Sequence, residues 1–405
     1  MTNRQSAIKI VRTLRREDFQ ALLAGGCVRD MLLRRTAKDY DVATDARPQE
    51  ITRLFKRTLQ VGAKFGVVIV INEGKQVEVA TFRAEKSYAD GRHPDSVRFT
   101  DAAEDAARRD FTINGMFYDP VEKRVIDFVD GQADLKKKII RTIGPAEQRF
   151  DEDYLRMLRA VRFATQLDFE IEPKTLSAIC KYAHNIDKIS GERICMELEG
   201  ILTNPNRADG LWLMEKAGLI KEIFPGLTPE NISLAIKVLS KLKKRTSFAL
   251  AIACLFAGCS TDFAVNKIRI LKLSNSQTRH IRFLLKNRNT LLNDKMSLSE
   301  LKLILAEPYF WDLYQLQRAI QKAEGKSTGA LLRLRKRIRQ LGDIELRPKP
   351  LLNGNELIKL GAVAGPALGL LAQEMYIAQL ETTIKTKQQA EEWVRKWLQK
   401  HKTTQ

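Results

Sequence analysis

The spacing of apolar residues changes once along this chain, near Phe150, and that change restricts the available folds more than any other feature. Before it, runs such as Phe65-Gly-Val-Val-Ile-Val-Ile-Asn72 and Val77-Glu-Val-Ala-Thr-Phe-Arg83 lie between turn residues. Short β-branched runs bounded in this way are strands, so residues from about 20 to 145 read as an α/β head with a mostly antiparallel or mixed sheet. Beyond Phe150 the strands vanish. Amphipathic stretches of helical spacing run to the end, broken at Thr203-Asn-Pro-Asn206, Phe224-Pro-Gly-Leu-Thr-Pro229 and Glu307-Pro308, where Pro, Gly and Asn stop helices. The expected class is α+β, a sheet-bearing head followed by all-helical modules. Pro348 and Pro350 mark a junction before the last of them, and no repeat of fixed period is present.

The charge is as uneven as the structure. The 405 residues carry 69 Lys and Arg against 49 Asp and Glu, a net +20. Residues 231–340 hold 22 basic and 6 acidic side chains, so +16 falls in that block, whereas 151–230 is acidic by 4. A block so basic asks for a polyanion, because phosphate contacts release counterions and long-range attraction steers nucleic acid. Its densest runs contain Lys241, Lys243, Lys244 and Arg245, and then Arg333, Arg335 and Arg337. The second run has apolar partners at Leu331, Leu334, Ile338 and Leu341, a helical spacing that sends its cations to the opposite side. Five cysteines without a Cys-x-x-Cys pair argue against a disulfide framework and a zinc ribbon. The longest apolar stretch, Phe248 to Gly258, is too short for a bilayer, and the N-terminal segment lacks an apolar signal core. A soluble, cytoplasmic protein is expected.

The chemistry concentrates in the head. Asp39 and Asp41 are one residue apart at the entry to an expected strand, where a period of two places both carboxylates on one face. Such a pair can share magnesium, which takes one or two protein carboxylates and fills its shell with phosphate and water oxygens. A surface pair in a turn is the plainer alternative. Upstream, Gly25-Gly26 precedes a helix beginning at about Cys27, either a tight turn or a set of backbone N–H groups open to a triphosphate. Glu78, between Val77 and Val79, is either a third carboxylate beside the pair or an edge-strand acid facing solvent. Arg108, Arg109, Asp110 and Asn114 form a cluster that reads as an ion-paired helix start or as a fork for phosphate oxygens. Asp153, Arg156, Arg159 and Arg162 recur every three residues, so on a helix each adjoins the next. Their row could be a solvated face, or an acceptor and donors for the edge of a base. None of the histidines at 93, 184, 280 and 401 is followed by Asp. His93 reads as a turn residue and Cys27 as packing.

In order, Leu23-Ala-Gly-Gly-Cys-Val-Arg-Asp30, Asp39-Tyr-Asp41, Glu78-Val-Ala-Thr-Phe-Arg83, Asp90-Gly-Arg-His-Pro-Asp-Ser-Val-Arg-Phe99, Arg108-Arg-Asp-Phe-Thr-Ile-Asn-Gly-Met-Phe-Tyr-Asp-Pro120, Asp130-Gly-Gln-Ala-Asp-Leu135 and Glu152-Asp-Tyr-Leu-Arg-Met-Leu-Arg-Ala-Val-Arg-Phe163 resemble the motifs of class II tRNA nucleotidyltransferases and bacterial poly(A) polymerases. The resemblance implies a polymerase-β-like nucleotidyltransferase head over residues 1–145, a base-recognising neck over 146–205, a basic tRNA-binding body over 206–340 and a tRNA-binding tail over 341–405. It implies that Asp39 and Asp41 bind Mg²⁺, that Gly26 and Arg29 meet the triphosphate, and that Arg109 contacts the nucleotide. Asp153 and Arg156 would pair with cytosine or adenine, supported by Arg159 and Arg162. The partners so implied are CTP, ATP and the tRNA acceptor arm. The stretch from Pro350 to Val394 resembles the tail of CCA-adding enzymes, in which the Gly361 to Gly369 turn joins two helices. Gly62-Ala63-Lys64-Phe65 lacks one of the two basic residues usual in the poly(A) branch.

Three functions follow. The first is addition of CCA to tRNA 3′ ends with release of pyrophosphate. The second is a related product: poly(A), or only the two cytidines, or only the adenosine, a choice that falls to the segment between Phe82 and Phe99. The third is RNA binding without catalysis, against which the intact carboxylates, glycines and Asp/Arg row speak.

Overall fold

The computed structural model describes residues 2–59, 65–86, 96–342 and 344–402. Gly62 to Lys64 and the whole 87–95 stretch, His93 included, therefore lie outside the described residues. The chain divides into two units. One comprises Met1–Ile236 with Asn266–Leu273; the other comprises Lys237–Val265 with Ser274–Gln405.

The first unit is built on a seven-stranded mixed sheet. Its strands belong to the series β1 Ala21–Ala24, β2 Asp41–Thr44, β3 Thr58–Leu59, β4 Val67–Asn72, β5 Lys75–Thr81, β6 Arg83–Lys86, β7 Ser96–Phe99, β8 Phe117–Asp119 and β9 Arg124–Ile126. The order across the sheet is β3-β4-β5-β2-β1-β8-β9. Only β2 and β5 run parallel within it; β6 and β7 form a separate antiparallel ribbon. All four residues of β1 are buried, as a central strand covered on both faces requires. The helix Asn3–Arg16 packs on β1, β2 and β5, burying Ala7, Ile10, Val11 and Leu14 at the spacing of one helical face. A capping box between Thr2 and Gln5 starts it. Elsewhere Leu22, Ala24, Ala43, Phe82 and Phe117 enclose Ala102 and Ala106 of the helix Ala102–Ala107. Phe82 and Phe117 meet edge to face at 5.9 Å.

Helices follow, with one exception to the expected absence of strands. Glu170–Ile171 pairs in parallel with Ile139–Ile140, a two-residue ladder too short to leave a period in the sequence. The helix Leu155–Leu167 packs against Gly191–Leu202 and Arg207–Lys216. That approach needs a glycine, since a Cβ on Gly200 would stand 2.5 Å from Cδ of Arg162.

The second unit surrounds Phe248–Leu255, a helix buried at all eight positions. This is the longest apolar stretch of the sequence, used as a core element, and Asn275–Lys286 and Phe310–Ala323 pack on it. No helix among the described residues is long and apolar enough to cross a membrane. A further core, formed by Leu352, Leu357, Leu371, Met375, Ile384 and Val394, lies among the helices Gly354–Lys359, Pro366–Leu380 and Lys387–Lys402. The turn between the first two of these is shorter than expected. Gly361 and Gly365 carry its positive φ values of 103° and 141°, whereas Gly369 already lies inside the second helix.

Candidate active site

One cleft of about 750 Å³ in the first unit collects residues from the turn after β1, from β2 and from the helix Leu155–Leu167. Gly25, Gly26, Arg29, Asp39, Asp41, Arg109, Asp110, Asn114, Asp153, Arg156, Arg159 and Arg162, all singled out from the sequence, line it. Segments as far apart as residues 25 and 162 therefore meet.

The β1–β2 pairing makes the meeting possible. Ala24 pairs with Asp41 as the last register of that ladder. Gly25 then turns away at φ 73° and ψ −131°, and the helix Gly26–Leu32 begins. Its N–H donates to the Met116 carbonyl at 3.1 Å. A side chain at Gly25 is excluded twice, by the positive φ and by Nη1 of Arg109, which would stand 2.9 Å from its Cβ. At Gly26 nothing of the sort applies: an added Cβ would meet only Nη2 of Arg29, at 3.7 Å.

Asp39 departs from the sequence expectation in one respect. It precedes β2 instead of lying on it, because the partner strand has already ended at Ala24, but it still faces the cleft beside Asp41. Asp41 is open on the cleft side and enclosed by protein elsewhere. Its carboxyl is pushed up to about 6, first by that enclosure and then by the negative charge of Glu78 and Asp39, against the pull of Arg109. Glu78 is exposed on β5, near enough to act on Asp41 but not among the residues lining the cleft. Among the described residues no group of three or more His, Cys, Asp or Glu could cage a metal unaided. Two crowded carboxylates at an open cleft fit a hard divalent cation that takes the rest of its shell from substrate and water. Cys27 lines the cleft too, with its thiol pushed up to about 11 chiefly by burial, so it is no nucleophile.

Ion pairs fix the arginines. Asp105 accepts from Nη2 of Arg108 at 2.8 Å and of Arg109 at 2.9 Å. Asp110 accepts from Nε and Nη2 of Arg159 at 2.9 and 2.6 Å, from Asn114 at 3.2 Å and from the Phe111 N–H at 2.8 Å. Burial alone would raise the Asp110 carboxyl, but the Arg159 charge and these hydrogen bonds hold it below its usual value. Asn114 passes the chain on, accepting from Nη1 of Arg29 at 2.8 Å. Arg162 pairs with Glu197, and Arg156 with Glu152.

Asp153 differs from expectation. It lies in the joint between two helices at φ −156°, outside the helix Leu155–Leu167, because its Oδ1 accepts the Leu155 N–H at 3.0 Å as a cap does. Its other oxygen accepts from Nη2 of Arg193 at 2.6 Å. Arg193, like Lys38 and Phe163, lines the cleft without having been picked from sequence. It is 40 residues from Asp153, and no local pattern joins them. Phe163 could have been suspected from its place at the end of the arginine row; the guanidinium of Arg162 lies 4.2 Å from its ring centre.

The basic residues of the second unit do not form one set. Lys241, Lys243, Lys244 and Arg245 are exposed in a loop, and Arg335 is exposed on the helix Gly329–Leu341. On that helix Arg333 pairs with Asp294, and Arg337 donates to the carbonyls of Asp294 and Met296 at 2.6 and 2.9 Å. Arg333 is nonetheless exposed, whereas Arg337 is half-buried against that turn.

Comparisons with known proteins bear on the family and the fold. A family model described as Poly A polymerase head domain matches residues 21–141, and one described as Probable RNA and SrmB- binding site of polymerase A matches 168–231. A CCA-adding enzyme of Lactobacillus johnsonii is 33% identical over 397 residues, 95% of each chain. The chain belongs to the CCA-adding enzyme family. A second CCA-adding enzyme, from Enterococcus faecalis, is 46% identical over 208 residues, about half of each protein. The crystal structure of the Bacillus stearothermophilus CCA-adding enzyme in complex with CTP is 28% identical and superposes over the full length of both chains with a TM-score of 0.84. Membership in this family makes the chain a nucleotidyltransferase, with its α+β head and helical remainder as expected from sequence.

Proposed function

We propose that the protein adds C, C and A to the 3′ end of tRNA from CTP and ATP without a nucleic acid template, releasing pyrophosphate. The observation that carries this reading is the convergence of Asp39 and Asp41 with the row Asp153, Arg156, Arg159 and Arg162 on one cleft. One end offers hard oxygen ligands, the other an acceptor and donors at the scale of a base edge. Related CCA-adding enzymes, one of them in complex with CTP, support the same reading.

In this mechanism Asp39 and Asp41 would hold Mg²⁺. Two such ions would lower the pKa of the attacking 3′ hydroxyl and neutralise the departing pyrophosphate. Gly26 lets the triphosphate approach the backbone, while Arg29 and Arg109 donate to its oxygens with the planar fork that suits phosphate. Asp105 and Asn114 hold those two guanidinium groups in place, so little reorganisation is needed on binding. The carboxylate of Asp153 accepts from an exocyclic amine and Arg156 donates to ring acceptors, so the incoming base is read by side chains. Arg159 and Arg162 support it, while Glu78 acts on the site through the charge of Asp41. The exposed cations Lys241, Lys243, Lys244, Arg245 and Arg335 bind tRNA phosphates irrespective of sequence.

Purified protein, a tRNA transcript lacking its 3′ terminus, CTP, ATP and Mg²⁺ test the reading. Extension by three nucleotides is expected; no extension rejects it. Because the matched head model is named for poly(A) polymerase, the same assay with ATP alone is the control: unlimited growth would assign poly(A) synthesis instead.

A further inference from the structure

Among the described residues two tryptophans have about half their surface exposed, Trp212 at 49% and Trp311 at 54%, and their surroundings differ. The face of Trp212 is taken by the ammonium of Lys216, 5.1 Å from the ring centre, within the acidic 151–230 segment. Trp311 lies in the segment of net +16. Phe310 and Tyr314 meet it at 5.1 and 6.0 Å with interplanar angles of 77° and 64°, so neither ring lies flat against it. A large apolar ring left uncovered in water is unfavourable, and here it stands in a field that draws polyanions.

The neighbours of Trp311 give that field a direction. Ser247 Oγ donates to Asp312 Oδ2 at 2.6 Å. This bond holds the loop carrying Lys243, Lys244 and Arg245, which ends two residues earlier, against the Trp311 end of the helix Phe310–Ala323. Asp312 also faces Nε2 of His280 at 3.3 Å, so the one acid beside Trp311 in sequence is engaged inside the unit. Along the same helix Arg318 and Lys322 stand seven and eleven residues after Trp311, within about 20° of its direction and roughly 10 and 16 Å further on at 1.5 Å per residue. Neither forms an ion pair with another described residue, and Lys322 is exposed. An uncovered aromatic plate with cations at one end and along one face is the arrangement that stacks an unpaired base while gripping the phosphates on either side.

We propose that Trp311 is a base-stacking anchor for an unpaired nucleotide of the RNA substrate, flanked by phosphate contacts from the Lys243–Arg245 loop and from Arg318 and Lys322. The proposal rests on the reading that RNA is the substrate, and it adds the kind of nucleotide recognised and the residue that recognises it. A blunt duplex offers no such base, so duplex binding should be indifferent to Trp311.

The test compares full-length wild type, W311A, W311F and W212A for binding to a labelled tRNA transcript lacking its terminus and to a blunt-ended RNA duplex. W311A should bind the transcript about 5- to 150-fold more weakly, the range of one lost base–aromatic stack, with an unchanged dependence on salt because no charge is removed. W311F should recover most of the loss, and W212A should match wild type. On the duplex all four should agree. A W311A affinity within twofold of wild type on the transcript overturns the proposal; so does an equal loss on the duplex, which includes the outcome of a misfolded variant, or an equal loss in W212A. Wild type that fails to extend the transcript while the Trp311 difference persists rejects the catalytic reading alone. Normal extension with an indifferent W311A rejects this surface alone.

Discussion

Replacing Gly25 and Gly26 one at a time by alanine separates the fold of the active-site turn from its chemistry. At Gly25, with φ 73° and ψ −131°, a Cβ is held in a region that costs about 1–3 kcal/mol for a residue other than glycine. It also presses on Nη1 of Arg109 at 2.9 Å. For a cooperative unit of this size about 2–4 °C is lost per kcal/mol, so Gly25→Ala should lower the melting temperature by roughly 2–12 °C. A guanidinium displaced by about 1 Å should also cost up to ~10²-fold in kcat/KM. Gly26 has ordinary φ and an open surround, so Gly26→Ala should leave the fold unchanged or stabilise it by ~0.4–1 kcal/mol. If phosphate approaches the backbone there, one charged hydrogen bond of ~1.5–3 kcal/mol is lost and the nucleotide KM rises roughly 10- to 150-fold. Calorimetry and steady-state incorporation of CTP read both effects. A Gly25→Ala protein that melts with wild type would refute the steric argument, and a Gly26→Ala enzyme with wild-type KM would refute the phosphate approach.

Three further outcomes are expected. Asp110→Asn should cost about 1–3 kcal/mol at pH 7, allowing for the partly exposed Arg159. A carboxyl held below its unfolded value stabilises the native state above about pH 4, an effect lost as pH falls through the native value, so the urea midpoints of variant and wild type should converge towards pH 3. Arg193→Ala should leave kcat for the preferred nucleotide largely intact but weaken discrimination between CTP and ATP by about tenfold, one charged hydrogen bond's worth, as competition kinetics would show; unchanged discrimination would remove Arg193 from base reading. Leu357→Ala, in a fully buried position, should destabilise the core around it by ~2–5 kcal/mol, followed through the fluorescence of Trp393 and Trp397 packed against it. Because Leu357 belongs to the second unit and every residue lining the cleft to the first, CTP affinity should not change.

The runs read as strands are β4 and β5 to within a few residues, since their valines and isoleucines must fill a sheet interior whatever else the chain does. The cleft was legible because its acids and arginines sit in dense local clusters. Alternation alone puts Asp39 on a strand, because it cannot tell where a partner strand ends; Gly25 ends it. A spacing of three puts Asp153 on a helix, although an Asp two residues before the first helical turn is equally a cap. Helical periodicity sends Arg333 and Arg337 to solvent; Arg333 is exposed there while pairing with the Asp294 carboxylate, but Arg337 is drawn in because the carbonyls of Asp294 and Met296 need donors. Arg193 carries no local signal, because its tie to Asp153 exists only after three helices have packed.

The central claim is that Asp39 and Asp41 are the metal-binding acids of a transferase acting on tRNA ends. Sequencing the 3′ ends of truncated tRNA after incubation with CTP, ATP and Mg²⁺ tests it most directly, using wild type and Asp41→Ala side by side with a binding measurement on each. Wild type should leave ends that read CCA and stop there, while Asp41→Ala leaves the ends unextended and binds tRNA nearly as well. Extension by the variant, or wild-type ends of any other sequence, would contradict the account.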